Sequence, residues 1–378
     1  LVKKGETSIT WLKEVLQDAG SNEYAPLHAL WALGQLYRQE FNSTASHLVE
    51  SLESKDLEIR ANAARTCGDI RLAGSKERLI TMLDDPSLRV VSLAAVALGR
   101  VAPKGCTVTV DALFDRAEKN GGTAFDVTLR HSLLSALARL VSPANALSYA
   151  DAKSEEQRML ALLVSRRLGH SHLGHFLNDK SPAIQKEALS AIYDTSALDG
   201  PAGKNLMSLE IEDFKFYHQV RLVAAYFRLG SEESAQLLIK ACANAKLDKE
   251  VRIFALQALL QWAIPLDTDP VLGHYRPTLK AIFSRNQLIS LYEEQIRILV
   301  ETEKTPELAS LLGKFVLEAG ISMDAKILRK QVVDLNLNDE VRASNLRSLL
   351  SLEDEIDDKL IENLLSDKSV AVQSVSYE

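Results

Sequence analysis

Imidazoles two and three residues apart can share a transition metal, and one stretch of this 378-residue chain offers them: His170, His172 and His175, within Gly169-His170-Ser171-His172-Leu173-Gly174-His175. A metal centre needs a full ligand set and supporting partners, and no cysteine or carboxylate follows until Asp179. Histidines exposed in a turn between helices are therefore the favoured reading, and no metal is assigned. The same stretch misses the G-x-S-x-G nucleophile elbow, because Leu173 stands where glycine is required after Ser171. Glu353, Asp354, Glu355, Asp357 and Asp358 lack EF-hand spacing and a turn glycine; ahead of a helix they serve its N-terminal dipole. Cys67, Cys106 and Cys242 are far apart and form no C-x-x-C, which removes a zinc site and a disulfide framework. No catalytic residue and no cofactor-binding residue is assigned in this segment.

The charged residues that do recur are arginines, each just after an aliphatic residue: Ile59-Arg60, Leu129-Arg130, Val220-Arg221, Val251-Arg252 and Val341-Arg342. A cation at the start of a helix opposes the macrodipole, so it needs a compensating partner. The carbonyls ending the preceding helix, or an Asp in the intervening turn, would supply one. Arg60, Arg130, Arg221, Arg252 and Arg342 are therefore read as a structural ladder between repeats rather than as ligand contacts.

The elements that must carry this ladder are short helices. Ala25-Pro26-Leu27-His28-Ala29-Leu30-Trp31-Ala32-Leu33-Gly34 returns as Ile59 to Gly68 and as Val90 to Gly99, with Ala29, Ala63 and Ala94 in one column and Gly34, Gly68 and Gly99 in another. The alanines mark close helix approach, and the glycines are expected to stop each helix in the left-handed conformation. Ile59 to Val90, Val220 to Val251 and Val341 to Val372 are each thirty-one residues apart, the length of a stacked helix-turn-helix unit. Leu52, Leu83, Leu177 and Leu365 each precede an aliphatic residue by seven positions, and the turn at Asp179-Lys180-Ser181 matches that at Asp367-Lys368-Ser369.

The fold expected is all-α: a right-handed α-α superhelix, a solenoid of about ten helix pairs. Residues 1–378 form one such array, read as a fragment truncated at both ends, whose bare terminal repeats should self-associate. Turns are expected at Gly20-Ser21-Asn22 and Asn120-Gly121-Gly122. Two irregular loops interrupt the pattern, near 194–205 and near 264–277, the second carrying Pro265, Pro270, Pro277 and Gly273; helix is expected to resume from Leu279 to Glu303.

Forty-four basic against fifty-one acidic residues give a net charge of -7, the wrong sign for gripping phosphate backbones, so nucleic acid is excluded as a partner class. No apolar run is long enough to span a bilayer. Trp11, Trp31 and Trp262 lie on apolar helical faces and are read as core. Tyr217, His218, Tyr226, Phe227, Tyr275 and Tyr292 stand nearest the irregular loops and are assigned as a contact patch for a protein partner.

The aliphatic-then-arginine step resembles HEAT repeats, including the HEAT-like repeats of phycobilin lyases. The pattern departs at Pro26, Val91, Gln185 and Gln373, where the arginine is replaced, and at Asn345, where a small residue would stand. Leu27 to Leu36 and Asp339-Glu340-Val341-Arg342-Ala343 resemble the HEAT segment of large planctomycete and verrucomicrobial secreted proteins. Those proteins join a sugar-dehydrogenase-like propeller, a HEAT array and a c-type cytochrome domain. The resemblance implies a periplasmic, cell-envelope or secreted parent chain with haem c elsewhere in it, since no C-x-x-C-H occurs here. It makes this segment a non-catalytic spacer or docking array, holding another domain of its own chain. A free-standing adaptor binding a separate partner protein is the alternative function, and the cytoplasm is the alternative location. A lyase-like HEAT enzyme ranks third because no paired acid and base can be pointed to.

Overall fold

Apolar residues at helical spacing, punctuated by capped turns, produce an all-α HEAT-like solenoid in the computed structural model. It describes residues 2–17, 24–119, 126–169, 171–264, 266–278, 282–352 and 357–377. The turns expected at 20–22 and 120–122 lie outside them, as do His170, Pro265 and Glu353 to Glu355. Among the described residues the only β-type pairing is a single bridge between Thr268 and Tyr275, and no helix is long and apolar enough to cross a membrane.

The chain divides into two compact units, 1–191 and 192–378. In the first, the helices Ala25–Arg38, Leu57–Asp69, Leu88–Val101 and Val127–Leu140 pack each on the next. Their starts are set locally. Asp56 accepts from the Glu58 and Ile59 amides at 2.7 and 3.1 Å, and Asp126 accepts from the Leu129 amide at 2.8 Å. Such caps stabilise a helix by about 1 kcal/mol each. Ala29, Ala63 and Ala94 are fully buried, as close helix approach requires.

The glycine column has a different role from the one expected. Gly34, Gly68 and Gly99 do not end their helices, which run on to Arg38, Asp69 and Val101. A Cβ at Gly99 would lie 2.6 Å from the Ala136 Cα, one at Gly68 2.8 Å from the Ala97 Cα, and one at Gly34 2.6 Å from a Thr66 methyl. These glycines let the next helix come close; they are contact residues rather than stops. Gly230 does end a helix in the left-handed conformation, with φ 60° after Phe216–Leu229.

The second unit holds Phe216–Leu229, Glu232–Ala243, Lys249–Leu260, Arg285–Thr302, Pro306–Ala319, Ala325–Val332, Asp339–Leu352, Asp358–Leu365 and Val370–Ser376. Its last hairpins gather their own core around Val332, Leu346, Leu364 and Val372. The helix expected from Leu279 begins instead at Arg285. Ser284 and Gln287 form a capping box there, and Leu279 lies outside the described residues. The irregular stretch near 194–205 is built of single helical turns, Ser196–Asp199 and Pro201–Lys204.

Candidate functional site

Three arginines make one repeated joint. Arg60 donates from Nη1 to the Ser54 and Lys55 carbonyls (2.9 and 3.0 Å) and from Nε to Asp85 (2.8 Å). Arg158 does the same with the Ala152 and Lys153 carbonyls (2.9 and 3.0 Å) and with Asp179 (2.7 Å). Arg342 bonds the Val332 carbonyl at 2.9 Å and Asp367 at 3.1 Å. The carbonyls belong to the entry turn just before the arginine's helix at Arg60 and Arg158, and to the end of the preceding helix, Ala325–Val332, at Arg342; the carboxylate belongs to the turn of the repeat that follows. Each guanidinium therefore pins the segment ahead of its helix and the next repeat together.

Each acceptor also organises its own turn. The Asp85, Asp179 and Asp367 carboxylates accept from the amides of Ser87, Ser181 and Ser369 at 2.8, 2.7 and 2.9 Å. Gln185 and Gln373, two of the positions where arginine is replaced, donate to the Asp179 and Asp367 carbonyls, both at 2.7 Å. A glutamine here reaches the carbonyl six residues back, as Nη1 of Arg60 and Arg158 does, but has no second arm for a carboxylate. The Arg342 hydrogen bond holds the Asp367 carboxyl below the usual range against its burial. Burial pushes the Asp179 pKa up, yet Arg158 and the Ser181 amide outweigh it and leave it lowered.

The remaining ladder arginines behave less uniformly. Arg252 donates to the Cys242 carbonyl at 2.8 Å and pairs with Glu303. Arg221 turns back to Asp194 at 3.0 Å, and its guanidinium stacks on Tyr217, 3.8 Å from the ring centroid. Arg130 makes no side-chain hydrogen bond or ion pair among the described residues, so it is not a rung there.

The densest polar cluster joins the two irregular loops, and it went unread in the sequence. Arg276 donates to the Tyr193 and Thr195 carbonyls at 2.6 and 2.7 Å and reaches Asp269 at 3.3 Å. Arg228 forks onto Asp199 at 2.6 and 3.0 Å and donates to the Pro277 carbonyl at 2.8 Å. The Tyr193 hydroxyl donates to Asp269 at 2.9 Å, and Asp269 caps the Val271 and Leu272 amides at 2.9 and 2.8 Å. Desolvation and the neighbouring carboxylate raise the Tyr193 pKa. Burial raises that of Asp269, but the amides, Tyr193 and Arg276 together bring it below the ordinary value. Every group in this cluster is already occupied by protein, so its chemistry is that of a clamp.

The expected contact patch separates on inspection. Tyr226, Phe227 and Tyr292 are buried at 1, 9 and 7 % exposure, because they fall on the apolar stripes of their helices. Tyr217 and Tyr275 are exposed at 59 and 77 %, and His218 lies edge-on to Tyr217. The tryptophans also divide. Trp262 is buried and donates to the Phe283 carbonyl at 2.8 Å, whereas Trp11 and Trp31 are half exposed rather than core. His175 contacts Asp151 at 3.0 Å and His172 contacts Ser171 at 3.2 Å. Among the described residues no three His, Cys, Asp or Glu side chains gather at ligand spacing. Burial pushes the Cys67 and Cys242 thiols up to about 12, while the Thr109 hydroxyl lowers Cys106.

Arg158, Arg228 and Arg276 are the side chains that reading by pattern missed. Arg158 follows Gln157 rather than an aliphatic residue. The usable signal was the Asp-x-Ser triplet at Asp85, Asp179 and Asp367, six residues ahead of Val91, Gln185 and Gln373.

No curated protein matches the chain. Among solved structures it is similar to the complex of CpcE and CpcF of phycocyanin lyase from Nostoc sp. PCC7120, at 16% identity and TM-score 0.32, covering 91% of this chain and 94% of that one. It is also similar to a homology model of the full-length AP-3 complex (14%, 0.39, covering 98% and 83%) and to human deoxyhypusine hydroxylase in complex with glycerol (15%, 0.27, covering 83% and 97%). The family model described as HEAT repeats matches residues 8–99, the stretch that holds the opening hairpins.

Proposed function

We propose that this chain is a non-catalytic helical scaffold that holds protein domains, as the spacer or docking segment of a larger chain. One observation carries the reading. The charges at Arg60–Asp85, Arg158–Asp179 and Arg342–Asp367, partly or fully withdrawn from water, are spent on joining a helix to the repeat that follows it, which stiffens a stack against bending. Stiffened stacks with exposed aromatics, such as Trp31 in the first unit and Tyr217 in the second, suit spacing and docking. By resemblance, the parent is a secreted or envelope dehydrogenase-cytochrome protein with haem c in another domain, and no residue of this segment is assigned to haem.

The test is to read the reading frame on both sides and then cross-link the full-length protein with a lysine-reactive reagent. A propeller on one side, a C-x-x-C-H on the other and cross-links from this segment to both are expected. A frame carrying neither domain overturns the spacer reading in favour of a free-standing adaptor. Turnover of a small substrate by this segment alone overturns both.

A further inference from the structure

In the second unit, a groove of about 580 Å³ runs between Glu232–Ala243 and Arg285–Thr302. Its apolar lining is the exposed Ile298 and Ala243 with the edges of the largely buried Ile239 and Leu299, and the Arg252–Glu303 pair closes one end with its charge internally neutralised. The long wall helix is apolar on two sides. Leu288, Tyr292, Ile296 and Leu299 face the core, while Leu291 and Ile298 stand on a second stripe, each half exposed, with Gln295 between them. A helix needs one apolar stripe to dock on its own protein; a second points to another occupant.

The charges at the edges say what that occupant carries. Lys240 lies on one wall and Lys304 directly follows the other, and both are exposed. Neither ammonium makes an ion pair among the described residues, whereas Lys246 and Lys249 nearby pair with Glu212 and Glu307. In a chain of net charge -7, an apolar trough edged on both sides by lysines that have no ion pair among the described residues is complementary to an apolar ridge edged on both sides by carboxylates. A single-headed fatty acid answers one lysine only. A helix with apolar residues at i, i+3 or i+4, and i+7, and acids beside them, answers both.

We propose that this groove docks an amphipathic, acid-edged helix of a partner protein. The inference rests on the scaffold reading and names the partner chemistry at one place on it.

The test uses a phage-displayed library of fourteen-residue, helix-biased peptides, selected on the whole chain. Selected peptides are then synthesised and titrated by fluorescence anisotropy against wild type, Ile298→Asp and the double variant Lys240→Glu/Lys304→Glu. Ile298, Lys240 and Lys304 are exposed, so unchanged melting curves certify that the variants fold. Enrichment of an apolar stripe flanked by Asp or Glu is expected, with affinity at least tenfold weaker on Ile298→Asp. The charge-reversed variant should lose the acidic peptide at least tenfold and gain its Lys-flanked counterpart. Absence of enrichment, peptides that bind Ile298→Asp equally well, or indifference to charge reversal each overturn the proposal. So does displacement of the peptide by a simple fatty acid at equal concentration, which would make the groove a lipid site. None of these outcomes touches the reading-frame result, so the scaffold reading stands or falls separately.

Discussion

The helices between Ala25 and Leu140 and the loops between residues 192 and 283 hold together by opposite means. In the first region backbones approach until only glycine or alanine fits, as at Gly68 against Ala97 and Gly99 against Ala136. In the second, two guanidiniums reach across long stretches of sequence, Arg276 to Tyr193 and Arg228 to Pro277, and bind carbonyls that no helix satisfies. The lesson is one of hydrogen-bond accounting. The middle of a helix completes its own backbone bonds and needs only shape, whereas a turn or an irregular loop must have its orphan carbonyls met by side chains, as Arg60 does for Ser54 and Lys55 in the first region.

That difference also decides what could be read in advance. The hairpins were legible because apolar spacing and local caps such as Asp56 and Ser154 act within a few residues. The glycine column was visible, but its cause lay in the neighbouring helix, and a sequence shows no neighbours. The arginine step was visible too, and the carbonyl half of its bonding follows from the dipole argument. Its carboxylate sits in the next repeat, twenty-five residues on for Arg60 and Arg342. The carbonyl half of Arg276's bonding was illegible, since Tyr193 and Thr195 lie more than eighty residues upstream.

The sharpest way to break the comparison is Arg276→Ala. It leaves Asp269 buried without its cation and two carbonyls without donors, and should cost the second unit about 3–5 kcal/mol. Hydrogen exchange should show the Val271 and Leu272 amides losing protection, while Leu88–Val101 keeps its own. Loss of protection in both regions would show that the loops and the regular stack do not differ in the way described.

Gly99→Ala tests the other side. One added methyl is driven into the Ala136 backbone, and overpacking of this kind costs about 1–3 kcal/mol. Denaturant melts should show the loss. A neutral result would mean that the glycine serves only to relax the helix, and the shape argument for the first region would fail.

Acid should weaken the arginine joints and clamps. Asp179, Asp269, Glu303 and Asp367 all have folded pKa values below their ordinary ones. Below the ordinary carboxylate pKa, near 4, the unfolded chain therefore binds more protons than the folded one. The stabilisation is complete above that value and is lost as pH falls through the lowered values. Replacing Asp179 and Asp367 by Asn should flatten the acid limb of a stability-versus-pH curve, and an unchanged slope would remove these carboxylates from the account.

The two smallest effects separate a half-buried rung from a surface one. Gln373→Ala removes a donor to the Asp367 carbonyl and should cost about 1 kcal/mol. Arg89→Ala breaks a 3.0 Å pair with Glu58 in which both side chains are largely in water, and should cost under about 0.5 kcal/mol. Both sit on stacked helices and both bonds link polar groups, so charge alone would rank the arginine higher. The ranking expected is the reverse, because a carbonyl stripped of its donor inside a turn cannot recover a water as freely as exposed Glu58 can. Equal losses in paired denaturant melts would mean that the glutamine is incidental to its turn.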